Sequence, residues 1–114
     1  MQQPLNDVSV LVTRPADECE SLAKTIEQYG ALALRAPMIV VAGLSDRGPA
    51  QEVVKSLKHF EIAIFVSKNA VHYGLDLLPP NARSLKGMQV YAVGLGTAAA
   101  LTMHAIADVN VPTS

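Results

Sequence analysis

Phe60-Glu61-Ile62-Ala63-Ile64-Phe65-Val66-Ser67-Lys68-Asn69-Ala70-Val71 is the stretch whose reading decides the fold. Its first half is apolar and rich in β-branched side chains, the pattern of a strand buried on both faces. The run breaks at Ser67-Lys68-Asn69, and apolar residues then return at helical spacing with Val71, Leu75 and Leu78. A strand that passes through a short polar loop into a helix presents backbone N–H groups and side chains beyond the carboxyl end of a sheet. Open α/β proteins bind their ligands there. Ser67 or Asn69 also suits the plainer role of helix cap. The two roles are compatible, because a cap leaves other N–H groups free.

Working outward, residues 8–12 form the first expected strand, stopped by Thr13-Arg14-Pro15, with Pro15 placed for the first helical position. Asp17, Glu18 and Glu20 follow where a helix dipole favours acids. Cys19, Leu22, Ala23, Ile26 and Tyr29 recur at helical spacing, and Gly30 ends that helix. Residues 31–35 read as a second strand; Pro37 interrupts it, and 38–42 continue extended, as an edge or crossover. Ser45-Asp46-Arg47-Gly48-Pro49 has helix-start chemistry, and Ala50, Val53, Val54 and Leu57 supply the next apolar stripe.

Beyond the central stretch, Pro79-Pro80-Asn81 forces a loop and Gly87 precedes a strand over 88–93. Gly94-Leu95-Gly96-Thr97 is the next strand-to-helix loop, Ala98, Leu101 and Ala105 line the helix after it, and 108–111 read as a last strand. This rhythm predicts an α/β fold with a mainly parallel sheet and helices on both faces, doubly wound and flavodoxin-like.

At 114 residues the chain suits one ordinary domain and is short for two. Half of it is hydrophobic and 17% is charged, which implies a packed core rather than disorder. With three Tyr, two Phe and no Trp, that core must be aliphatic. Nine basic against ten acidic residues give a formal charge of −1 with no basic run, which argues against a nucleic-acid partner. An anionic ligand would have to be attracted locally. The single cysteine, Cys19, excludes an internal disulfide and a Cys-rich metal site, and its place on a helical stripe makes it a small buried hydrophobe. Apolar runs are too short to span a membrane, and Met1-Gln2-Gln3-Pro4 resembles no signal peptide, so the expected location is cytoplasmic.

Three expected strand tips carry polar residues at a strand-to-helix junction: Thr13-Arg14, Ser67-Lys68-Asn69, and Gly94 to Thr97. Helix N-termini attract anions, and glycine lets a backbone approach a ligand closely. With Arg14 and Lys68 adding positive charge, these tips suggest a site for carboxylate or phosphate. The acidic turn after Arg14 counts against the first of them. Gly94-Leu95-Gly96-Thr97-Ala98-Ala99 also matches G-x-G-x-x-A, but it follows a late strand and lacks the acidic residue that would hold a ribose. His59, His72 and His104 have no metal-ligand spacing, and no serine lies in G-x-S-x-G. A phospho-acceptor receiver domain would need acids after the first strand, where Thr13 and Arg14 stand. A flavodoxin-type phosphate loop would need more hydroxyls than Thr13.

Val10-Leu11-Val12-Thr13-Arg14-Pro15, Gly30-Ala31, Ala36-Pro37-Met38-Ile39, Ile64 to Val71 and Ala92-Val93-Gly94-Leu95-Gly96-Thr97-Ala98, in that order, resemble uroporphyrinogen-III synthase along the whole chain. The resemblance implies a lyase of tetrapyrrole and haem biosynthesis. It would close the linear tetrapyrrole hydroxymethylbilane to uroporphyrinogen III, with inversion of the last ring and loss of water. It implies no metal and no cofactor, a monomer, and a polycarboxylate substrate held between two α/β domains largely by backbone N–H groups and hydroxyls. By motif position, Ser67 and Thr97 match hydroxyls facing the family's cleft, and Thr13 and Arg14 match its first-domain loop. Lys68, Asn69 and Gly94 complete the expected substrate-binding set. The catalytic residue is unknown: the tyrosine that the family places in its cleft has no match here, since Tyr73 and Tyr91 stand at other positions.

The family runs to roughly twice this length, consistent with two domains. On that reading residues 1–36 begin domain one, as strand-helix-strand, and 37–114 supply the first half of domain two. The two pieces either collapse into one compact domain or expose apolar faces that pair or swap with a second chain. This chain is therefore expected to be inactive alone. The alternative from another class is a non-catalytic α/β module binding a small anion, a nucleotide or a protein partner.

Overall fold

Short parallel strands alternate with helices along the whole chain. The computed structural model describes residues 3–113, and its strands fall into a two-stranded and a three-stranded ladder in two compact units that change over between Ala42 and Gly43.

In the first unit, β1 (Ser9–Val12) leads through α1 (Ala16–Gln28) to β2 (Leu32–Arg35), and β2 pairs parallel with β1, Ser9 opposite Leu32 and Val12 opposite Arg35. The close fit of α1 on the ladder comes from small residues: Cys19, Ala23 and Ala33 are buried with Val12. The Cys19 thiol donates to the Val12 carbonyl at 3.6 Å, so this cysteine is packed as a small core residue. Pro15 is the cap residue rather than the first helical one. At the other end Gly30, at φ +94°, donates to the Glu27 carbonyl at 3.0 Å. A side chain there would be strained and would meet Gln3 Cβ at 2.7 Å.

Residues 38–42 form no ladder. Ala36 and Met38 still donate to Val12 and Thr13 carbonyls at 2.8 and 3.1 Å, with the Pro37 nitrogen turned to the other side, and regular pairing has ended by then.

In the second unit, α2 (Gly48–Lys55), β3 (Ile62–Phe65), α3 (Lys68–Asp76), β4 (Gln89–Ala92), α4 (Leu95–Met103) and β5 (Val109–Asn110) follow one another, with short 3₁₀ turns at Leu57–His59 and Pro80–Ala82. The ladder order is β3-β4-β5, parallel throughout, with Phe65 opposite Ala92 and Val90 opposite Val109. Its core joins Val90 and Ala92 of the central strand to Val71, Leu75 and Leu78 below α3 and to Leu101 and Ile106 below α4. It is aliphatic, as the composition requires.

The parallel α/β architecture is as expected, but the helical cover is one-sided. Ala63 and Phe65 of β3 turn toward the core, whereas Ile62, Ile64, Val66 and Val93 are half or more exposed and Tyr91 is also exposed. The central stretch is thus not buried on both faces, because every helix packed on this ladder contributes to the same core. The first ladder repeats the pattern, with Leu11, Leu32 and Leu34 on a bare face. The apolar run reads as doubly buried because an exposed apolar face and a covered one carry the same side chains in sequence. No helix among the described residues is long and apolar enough to cross a membrane.

Candidate functional site

The carboxyl end of β3 and that of β4 lie side by side. Val93 N–H donates to the Phe65 carbonyl at 3.1 Å, the last rung before both chains turn into helices. Ser67-Lys68-Asn69 and Gly94-Leu95-Gly96-Thr97 therefore share one edge of the sheet. On the first loop, Ser67 caps α3: its Oγ accepts from Ala70 N–H at 3.0 Å, and its backbone is extended at φ −163°. The hydroxyl proton remains to be donated. Lys68 opens the helix, exposed and without an ion pair among the described residues.

The second loop is barer. Gly94 stands at the cap position of α4, where no side chain bonds the first-turn N–H groups. A Cβ on Gly94 or Gly96 would meet nothing within 4 Å. Packing does not demand glycine at either place, so the space lies open beside unsatisfied donors. Such a helix start attracts an acid group through its N–H groups and dipole. Thr97 follows in the first turn of α4 and is the most enclosed residue of the expected set, at 6% exposure. Asn69, the next residue of α3, is half-buried.

Thr13 and Arg14 follow β1 in the first unit, where both are exposed. The Thr13 carbonyl is taken by Met38 N–H, and the Arg14 guanidinium lies 3.1 Å from Glu18, one helical turn on. Arg35, at the end of β2, is more firmly engaged: Nε lies 2.7 Å from Glu20 and Nη1 2.7 Å from Glu27. Hydrogen bonds from Arg35 hold both carboxyls below the usual glutamate range, and the same bonds push the guanidinium further up. These cations are spoken for by neighbouring acids, unlike Lys68.

Two polar clusters of the second unit escape a linear reading, because helix packing brings distant residues together. Arg47 reaches the Asp76 carbonyl at 3.1 Å beside a hollow of about 130 Å³ that Tyr73 and Gly43 also line. His72 and His104 share a hollow of about 110 Å³ with Asp76 and Arg83. Among the described residues no group of three His, Cys, Asp or Glu side chains could hold a metal ion.

A parallel α/β chain with polar, glycine-bearing loops at its strand tips defines a fold class rather than one activity. Comparison with known families is sharper. Residues 20–114 match the family described as uroporphyrinogen-III synthase HemD, and the chain belongs to that family. It is 31% identical over 108 residues to a uroporphyrinogen-III synthase of Chlorobaculum parvum, covering 91% of this chain and 42% of the relative. It is 24% identical over 111 residues to a porphyrin biosynthesis protein HemD of Ruminiclostridium josui, covering 97% of this chain and 22% of that protein. The chain thus spans less than half the length of these relatives.

Proposed function

We propose that this chain carries part of the substrate-holding surface of a uroporphyrinogen-III synthase, which cyclises hydroxymethylbilane with loss of water and inversion of the last ring. The observation that supports this reading is the shared β3–β4 edge, on which the Ser67 cap, Lys68 and the uncapped start of α4 lie on adjacent strand-to-helix loops. A polycarboxylate can be held there by a near-neutral protein, since the donors are main-chain groups and one local cation. Lys68, Asn69 and Gly94 belong to that edge with Ser67. Thr13 and Arg14 would serve from the first unit, Arg14 after exchanging Glu18 for a substrate carboxylate. Thr97 serves from the first turn of α4, with its hydroxyl as in the family's motif and with its backbone N–H.

The chemistry asked of such a surface is mainly conformational. Loss of water from hydroxymethylbilane leaves an azafulvene-like cation. Holding the carboxylate arms then folds the molecule so that attack falls on the substituted carbon of the last ring. Residues 1–36 and 37–114 act as pieces of two domains, in the cytoplasm. The bare ladder faces are covered in the working protein by further polypeptide, since parallel ladders are ordinarily clad on both sides. Symmetrical pairing of two copies is the competing closure, and light scattering separates the two.

The test is turnover. The chain alone should give only the isomer I that hydroxymethylbilane forms spontaneously, and isomer III should appear once the missing portion of a family member is supplied. Isomer III above background from the chain alone would refute the dependence on further polypeptide. No isomer III and no tetrapyrrole binding under either condition would refute the enzyme reading.

A further inference from the structure

The opposite end of the three-stranded ladder carries a different hollow, of about 520 Å³, between the α2–β3 connection and the turn that leads into β4. Its position is fixed by Phe60, which precedes β3, and by Met88, which precedes β4, so it faces away from the strand tips described above. Its volume lies in the range of small-molecule sites. The floor is apolar, with Leu85 buried and Val54, Leu57 and Met88 half-buried.

The rim is cationic. Lys55, Lys58 and Lys86 line the hollow and no acidic residue does, in a chain whose formal charge is −1. Lys55 is held by Glu52 at 2.6 Å, whereas Lys58 and Lys86 make no ion pair among the described residues. Lys86 is presented by a tight turn that Met88 N–H closes onto the Leu85 carbonyl at 3.1 Å. That turn has Leu85 at φ +52° and Gly87 at φ +87°. A left-handed leucine is an uncommon, strained conformation, held here because its side chain is anchored in the core. The turn sets Lys86 at the rim of an apolar floor.

We propose that this hollow binds a small amphipathic organic anion: an apolar body seated on Leu57, Leu85 and Met88, with one acidic head between Lys58 and Lys86. The apolar body supplies the burial and the paired ammonium groups select for the acid. The site is independent of the tetrapyrrole reading and stands if that reading fails.

Decanoate is a suitable probe, titrated into the ¹⁵N-labelled chain beside inorganic phosphate, which has only the charge, and octanol, which has only the body. Decanoate should shift the amides of Leu57, Lys58, Lys86 and Gly87 saturably, with both controls weaker. The exposed double variant Lys58→Glu/Lys86→Glu should lower its affinity by at least about tenfold. The Leu57→Asn variant should lower it as well while leaving the lysines in place. Shifts confined to Ile64 and Val93 on the bare sheet face, equal shifts with octanol, or an undiminished affinity in the charge variant would overturn the proposal.

Discussion

Val93 N–H donates to the Phe65 carbonyl at 3.1 Å, and this rung sets the Ser67 loop beside the Gly94 loop at one edge of the sheet. Both loops then enter helices pointing the same way, since β3 and β4 run parallel. Two helix starts with their N–H groups on one side make a local anion-attracting edge without a net positive charge. The two starts differ, because Ser67 caps α3 and nothing caps α4.

That difference makes Ser67 separable from the ligand it is proposed to serve. Ser67→Ala should destabilise the second unit by about 1 kcal/mol through loss of the cap to Ala70. Ser67→Asp keeps an acceptor at the cap and should hold stability near that of the parent. It should nevertheless weaken binding of a linear tetrapyrrole, by placing a negative charge on the edge. Urea denaturation and a binding titration read the two effects independently.

Gly96 gives the converse case. It lies inside the first turn of α4 with open space where a Cβ would sit. Gly96→Ala should therefore stabilise the chain, by up to about 1 kcal/mol from helix propensity. Tetrapyrrole affinity should fall if the ligand approaches the backbone there. A destabilised Gly96→Ala variant would contradict the open geometry.

The Arg35 cluster predicts a pH response in the first unit. Glu20 and Glu27 have folded-state acidities strengthened by the bonds from Arg35. A carboxyl with a depressed folded pKa contributes stability that is present above its unfolded value and is lost as pH falls through the folded one. Denaturation midpoints should thus be level at neutral pH and decline below about pH 4, with Arg35→Gln flattening the decline. All three groups are surface-exposed and the effect should shrink at high salt.

Leu101 is fully buried between α4 and the ladder. Leu101→Ala should cost about 2–5 kcal/mol, while Leu95→Ala, on the exposed side of the same helix, should cost well under 1 kcal/mol. Similar losses at both positions would mean that α4 does not pack as described.

Much of this architecture is legible from local pattern. The β-branched run of residues 62–65, Ser67 as a cap, and Gly30 after α1 each express a nearest-neighbour preference that the chain carries in itself. Three features were not legible. Exposure of Ile62, Ile64 and Val66 depends on which face of the ladder the helices cover, and an apolar run reads the same whether one of its faces is covered or both. Burial of Thr97 follows from how far α4 is rotated as it leaves Gly94, which a motif match does not encode. The lysine-rimmed hollow depends on Lys58 and Lys86 meeting across a fold that separates them in sequence.

The most direct measurement is a titration of hydroxymethylbilane, or a stable linear tetrapyrrole, into the ¹⁵N-labelled chain, following backbone amides. Saturable shifts at Lys68, Asn69, Leu95 and Gly96 are expected, weakened in Ser67→Asp. Shifts that avoid the β3–β4 edge, or no saturable shifts at all, would contradict the account.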